Sequence, residues 1–340
     1  MSPTSSDRPW AGHPLARELD TALAAVREAG SLCREVGQAV DRGALAKPDR
    51  SPVTVADFGA QALICRALGE AFPADPVMGE EDSAALRQPD GAHLLRRVTA
   101  LVAARRTGAT AEDVCAWIDR GCLADPAPRF WTLDPVDGTK GFLRGGQYAI
   151  ALALLIDGEL AAAAMGCPSL GPLADGDSAE GTLFAAVAGG GAWQMPLLDT
   201  GAPVAVRTSG VSDPAQLRFC ESVEAAHSSH DNAARVTALL GVKAQPVRLD
   251  SQAKYGVVAR GQAEAYLRMP NRADYSENIW DHAAGALVVI EAGGMVTDIA
   301  GRRLDFSLGA KLAHNRGVVA TCGPVHAAVI GAIGALGLAD

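Results

Sequence analysis

Five acidic residues in four motifs of this sequence stand where a strand gives way to a turn or a helix begins: Asp57 in TVADFG, Glu80 in VMGEED, the pair Asp134 and Asp137 in DPVDGT, and Asp281 in IWDHAAG. Ends of elements are where side chains from distant segments can converge on a cleft. Two carboxylates ~4 Å apart repel by about 4 kcal/mol at an effective dielectric of ~20, so a converging cluster requires bound cations or protons. Every candidate donor is an oxygen, which favours a hard ion such as Mg²⁺ over Zn²⁺. Pro135 holds the chain extended after Asp134, and Gly138 permits a sharp turn after Asp137. Both carboxylates and the Val136 carbonyl between them can then face one side. The following GTKGFLRG can open a short helix with Thr139 near its start, presenting N–H groups to a metal-bound phosphate. Taken singly, each acid reads as a helix cap and DPVDG as an Asx turn. Their conjunction is what points to chemistry, and no EF-hand spacing is present.

The elements that must position these residues are visible as periodicities. Apolar residues spaced by three and four from 14 to 42 predict a long amphipathic helix, and a second helix is expected from about Asp57 through DFGAQALICRALGEAF. PVMGEED reads as a short strand ending in acids. The charged, helical-period stretch 83–129 reads as a helical insertion on the surface. Strands dominate from FWTL to AVAGGGAWQMP, with Gly-rich 189–191 as a hairpin turn. The second half alternates strand and helix: RFCESVE, a helix through 231–240, PVRLD, a helix through 251–260, EAYLRM, a helix through 281–292, and GMVTDI. The expected organisation is an α+β domain over 1–205 carrying most metal ligands and an α/β domain over 206–340 packed on it.

Composition removes several function classes. The chain has 340 residues, 49% of them hydrophobic, and a net charge of -9 without a block of Lys or Arg. A core is assured, and a surface that tracks nucleic acid or anionic lipid is disfavoured. The N-terminal stretch lacks the charged-then-apolar pattern of a secretory signal, and no apolar run reaches the ~20 residues of a membrane helix. Seven cysteines, an odd number without a CxxC pair, suit free thiols in a reducing cytoplasm and argue against zinc. Cys115 and Cys122 are near enough in sequence to merit a redox test. A monomer and a homodimer both remain open.

Glu80, DPVDGT, and the distant WDHAAG followed by EAGG resemble the motifs of the lithium-sensitive, magnesium-dependent phosphatase superfamily that includes inositol monophosphatase. The likeness runs nearly end to end, from SPVTVADFGAQ to IWDHAAGA. Within the superfamily, TKGFLRG and SQAKY resemble the 3'(2'),5'-bisphosphate nucleotidases. The resemblance implies a layered αβαβα sandwich of the inositol monophosphatase and fructose-1,6-bisphosphatase type. It also implies hydrolysis of the 3'-phosphate of adenosine 3',5'-bisphosphate to give AMP, and often of its sulfated form. Two or three Mg²⁺ ions would be held by Glu80, Asp134, Asp137, Asp281 and the Val136 carbonyl. Asp57 and Thr139 match the pair that activates the attacking water. Gly138, Thr139, His227, Ser251, Lys254, Arg268 and Asp281 match substrate-contacting positions, with Lys254 and Arg268 suited to the 5'-phosphate. His227 and His230, three apart, could be mistaken for a metal pair; His227 is expected to touch the nucleotide and His230 to be structural. The rivals are an inositol polyphosphate 1-phosphatase or inositol monophosphatase and, from another class, a catalytically silent nucleotide sensor.

Overall fold

The computed structural model describes residues 8–39, 44–46, 52–171, 180–199, 201–223, 230–270 and 275–339. Helix α1 (Ala16–Gln38) turns Leu19, Leu23, Val26, Leu32 and Val36 inward, as its period predicts. A short antiparallel hairpin, β1 (Ala44–Ala46) and β2 (Pro52–Thr54), leads into α2 (Val55–Ala71). The start of α2 is fixed by a capping box: the Thr54 hydroxyl accepts the Ala56 N–H, while the Asp57 carboxylate accepts the Thr54 N–H. Strand β3 (Val77–Gly79) follows, then α3 (Ala92–Ala103) and α4 (Ala111–Asp119). The 83–129 stretch is thus helical, but it is not confined to the surface. Leu94, Val98, Val102, Val114 and Ile118 are buried in the core that α1 and α2 share.

The chain then runs through β4 (Arg129–Asp137), α5 (Thr139–Arg144), β5 (Ala149–Ile156), β6 (Glu159–Cys167), β7 (Thr182–Val187), β8 (Gly191–Pro196) and β9 (Val204–Ala205). With β3 these form a seven-stranded sheet ordered β3-β4-β5-β6-β7-β8-β9, parallel between β3 and β4 and antiparallel elsewhere. The rest of the chain runs through β10 (Phe219–Glu221), α6 (His230–Leu239), β11 (Val247–Arg248), α7 (Ala253–Ala259), β12 (Ala265–Arg268), α8 (Ala283–Glu291), β13 (Met295–Thr297), β14 (Val318–Thr321) and α9 (His326–Ala335), and its strands form a five-stranded sheet. Its strand order is β11-β10-β12-β14-β13.

Side-chain alternation along the strands sets the layers. Trp131 and Leu133 of β4 join the core under α1 and α2, whereas Phe130 faces the opposite way and packs with residues of α7 and α8. Tyr266 of β12 meets that same middle layer, while Leu267 turns to Val236 of α6 and Val329 of α9. The result is the αβαβα sandwich. Strand β14 and helix α9 had no counterpart in the sequence reading. A four-residue apolar run and an Ala/Gly/Ile-rich tail without a polar stripe give no clear period.

The middle layer is tight. A Cβ at Gly285 of α8 would lie 2.3 Å from Cδ2 and 2.8 Å from Cβ of Tyr255 on α7, close to atoms that cannot swing away. Gly285→Ala is therefore expected to destabilise the protein by about 1–3 kcal/mol, read as a lower urea midpoint at unchanged slope. Gly334→Ala on α9, where nothing lies within 4 Å of the added methyl, is the control and should be neutral or slightly stabilising. Equal midpoints for the two variants would contradict this packing.

Candidate active site

In a regular strand, residues three apart point to opposite faces, so Asp134 and Asp137 should diverge. They do not, because β4 carries a bulge. Asp134 pairs with Ala151 of β5, but Asp137 pairs with Ala149, so three steps on β4 match two on its partner. The extra residue restores the two side chains to one face. The Asp134 Oδ1 accepts the Val136 N–H at 3.1 Å, which folds the carboxylate over the bulge. Gly138 then adopts φ 86°, a left-handed conformation that favours glycine, and α5 begins at Thr139.

The other acids are delivered by neighbouring elements. Glu80 follows β3, whose Gly79 pairs with Leu133, and its N–H reaches the Leu133 carbonyl at 3.1 Å. This register sets it beside Asp134. Asp57 is buried in the first turn of α2: its Oδ2 accepts the Thr54 N–H (2.8 Å) and hydroxyl (2.5 Å), and its Oδ1 accepts the Thr139 hydroxyl at 3.3 Å. The Thr139 hydroxyl also lies 3.1 Å from the Val136 carbonyl. Asp281 lies just before α8, with Asn278 Nδ2 3.3 Å from its Oδ2.

Electrostatics shows the convergence. Burial drives the Asp134 carboxyl well above the ordinary carboxylate range, and the charges of Glu80, Asp137, Asp281 and Asp57 push it further. Asp137 is pushed up to about 7, first by burial and then by Asp281, with Lys254 opposing. Burial likewise raises Asp281, against the pull of Arg268 and His282. Carboxylates so crowded and desolvated fit a site that would hold hard cations through oxygen.

Of the candidate substrate residues, Gly138, Ser251, Lys254, Arg268 and Asp281 line one cleft together with the candidate metal ligand Asp137, whereas Thr139 does not border it. Ser251 has φ 67°, unusual for a residue with a side chain, and its Oγ accepts the Ala253 N–H at 3.2 Å. Lys254 is buried; its ammonium donates to the Ser251 carbonyl at 2.7 Å and the Leu249 carbonyl at 3.2 Å, over the ring of Tyr266. Burial brings this lysine down to about 8 even though Asp137 favours its charge. Arg268 forms an ion pair with Glu277 at 2.8 Å. His227 lies outside the described residues, and of His230 only the backbone that opens α6 is described.

Gln252, Glu277, His282 and Tyr255 support this arrangement. Gln252 donates its backbone N–H to Asp137 Oδ2 at 2.5 Å. Its side chain ties the Trp280 carbonyl (2.8 Å) to the Gly285 N–H (3.0 Å), joining the segments that bear Asp137 and Asp281. Glu277, in NRADYSEN, anchors Arg268 and lies 3.3 Å from His282 Nε2, whose Nδ1 meets the Tyr255 hydroxyl at 2.7 Å. Burial opposes the Glu277 charge, but Arg268 and His282 outweigh it and hold the carboxyl down to about 2. Glu277, Asp281 and His282 bring ligand atoms within 4.8 Å of one another, yet both nitrogens of His282 already have partners. In the sequence the one signal is a polar Gln directly before the helical run AKYGVVA.

All seven cysteines are free thiols. Cys115 is buried and Cys122 exposed, and burial raises the proton affinity of both, so neither has the low-pKa environment of a reactive thiolate. Among the described residues no helix is long and apolar enough to cross a membrane.

The inositol monophosphatase family model matches residues 15–334. A 3'(2'),5'-bisphosphate nucleotidase of Emericella nidulans is 43% identical over 343 residues, covering 93% of this chain and 97% of the relative. One from Schizosaccharomyces pombe is 42% identical, covering 94% and 95%, and one from Oryza sativa is 43% identical, covering 92% of each. Among solved structures, the Thermotoga maritima IMPase superposes with a TM-score of 0.66 at 21% identity, covering 94% of this chain and 97% of its own. CysQ from Bacteroides thetaiotaomicron gives a TM-score of 0.60 at 20% identity, covering 89% and 96%.

Proposed function

This chain belongs to the inositol monophosphatase family, and we propose that it is a magnesium-dependent phosphatase that removes the 3'-phosphate of adenosine 3',5'-bisphosphate to give AMP. The observation that carries this reading is the convergence of Asp134 with Glu80, Asp137, Asp281 and Asp57 beside a cleft that also holds Lys254 and Arg268. The names of the full-length relatives support the nucleotide over an inositol phosphate. The sulfated form of the nucleotide is the expected second substrate.

Glu80, Asp134, Asp137, Asp281 and the Val136 carbonyl would hold two or three Mg²⁺ ions. Bound there, the ions would lower the pKa of a coordinated water, neutralise phosphate charge and stabilise the leaving 3'-oxygen. The protein's own contribution begins at Asp57. With its Oδ2 held by Thr54, its Oδ1 faces the Thr139 hydroxyl. A hydroxyl that donates to Asp57 turns a lone pair outward, where it can accept a proton from the attacking water. General base catalysis of this kind contributes about 10²- to 10⁴-fold. Ser251, Lys254 and Arg268 would take the rest of the nucleotide, Lys254 as a point charge and Arg268 as a planar fork oriented by Glu277. His227 is proposed for the same role.

Phosphate release from adenosine 3',5'-bisphosphate and inositol 1,4-bisphosphate, measured side by side with Mg²⁺, tests the substrate. The nucleotide should be the better substrate by kcat/KM. A preference of about 100-fold for the inositol compound, some 2.7 kcal/mol of transition-state discrimination, would overturn the nucleotide reading.

A further inference from the structure

The cleft carries a third cation that the reading above does not use. Lys140, the second residue of α5, borders it together with Asp137, Ser251, Lys254 and Arg268. The other two cations, assigned above to the nucleotide, are each anchored within the protein, Lys254 by two backbone carbonyls and Arg268 by Glu277. Lys140 is half-buried and has no hydrogen-bond or ion-pair partner among the described residues. Its backbone is held in place. A Cβ at Gly141 would lie 2.3 Å from the Gln147 carbonyl and 2.8 Å from Asp250 Oδ2, and Arg144 pairs with Asp250 at 2.7 Å. Helix α5 is thereby locked to the segment that carries Ser251 and opens α7, where Lys254 sits.

We propose that Lys140 is a specificity-determining residue that joins Lys254 and Arg268 in binding the substrate's second anionic group, the one that is not hydrolysed; this rests on the phosphatase reading above. The attacked phosphate must sit against the Asp134 cluster; of those acids only Asp137 and Asp281 border the cleft, whereas Asp57, Glu80 and Asp134 do not, and Lys140 shares the cleft with Ser251, Lys254 and Arg268. A cation grouped with Ser251, Lys254 and Arg268 suits the part of the ligand assigned to those residues. An ammonium on a flexible four-carbon stem also suits an anion whose reach varies, such as a phosphate or a longer phosphosulfate.

The test uses Lys140→Met and Lys140→Arg in the full chain, with adenosine 3',5'-bisphosphate and adenosine 3'-phosphate as paired substrates in saturating Mg²⁺. A charge-assisted contact to phosphate predicts that Lys140→Met lowers the ratio of the two kcat/KM values about 10-fold, mostly through KM for the bisphosphate. Lys140→Arg should restore most of the ratio, and calorimetric affinity for AMP should fall in parallel in the Met variant. An unchanged ratio in a variant with wild-type melting temperature overturns the assignment, as does an equal loss on both substrates. If the wild-type protein turns over neither nucleotide, the nucleotide reading is what fails. The same ratio, taken with inositol 1,4-bisphosphate and inositol 1-phosphate, then tests Lys140 on its own.

Discussion

Asp134→Asn should give a protein that, without metal, is more stable than the wild type and yet shows almost no phosphatase activity. Asp134 is 2% exposed and faces the charges of Glu80, Asp137, Asp281 and Asp57. Without cations, that arrangement is a cost to the folded state. Removing one uncompensated buried charge should raise metal-free stability by roughly 1–3 kcal/mol. The amide keeps an oxygen that can accept the Val136 N–H, so the bulge in β4 survives. Metal binding supplies several kcal/mol of transition-state stabilisation, so turnover should fall on the order of 10³-fold or more. The increase in melting temperature that Mg²⁺ gives the wild-type protein by mass action should shrink or vanish in the variant. Differential scanning with and without chelator, alongside phosphate release, checks all three. A variant that is less stable without metal and still gains stability from Mg²⁺ would show that Asp134 is a structural hydrogen-bond acceptor.

Asp57→Asn should separate chemistry from metal binding. The amide oxygen can replace Oδ2 as the acceptor for Thr54, preserving the cap of α2. Its NH₂ then faces the Thr139 hydroxyl where a carboxylate oxygen stood 3.3 Å away. The hydroxyl becomes an acceptor there and turns its proton toward the Val136 carbonyl, 3.1 Å away. It can no longer pass a proton to residue 57. Turnover should drop about 10²- to 10⁴-fold while Mg²⁺ still raises the melting temperature as in the wild type. Rates within a few-fold of normal would remove Asp57 from the proton path.

The acids and most of the helices could be read from the sequence because each announces itself locally. Asp57 opens an apolar-periodic helix, Glu80 closes a strand, and Gly138 follows the aspartate pair. What could not be read depends on partners far along the chain. The bulge that brings Asp134 and Asp137 to one face is a property of the β4–β5 register, and residues three apart in a strand look wrong for a shared site. Arg268 finds Glu277 with no sequence period linking them, and Gln252 joins segments from two parts of the fold. The inward face of 83–129 was obscured by its charged residues, although Leu94, Val98 and Val102 repeat at four. Strand β14 is interior in its sheet but only four residues long, too short for alternation to show.

The central claim is that a cluster of carboxylates serves hydrolysis of a nucleotide 3'-phosphate. Phosphorus NMR of adenosine 3',5'-bisphosphate incubated with the protein and Mg²⁺ tests it most directly. The 3'-phosphate resonance should disappear as inorganic phosphate grows, leaving AMP with its 5'-phosphate intact, and chelation of the metal should stop the conversion. Formation of adenosine 3'-phosphate, or a conversion that continues at the same rate in excess chelator, would contradict the account.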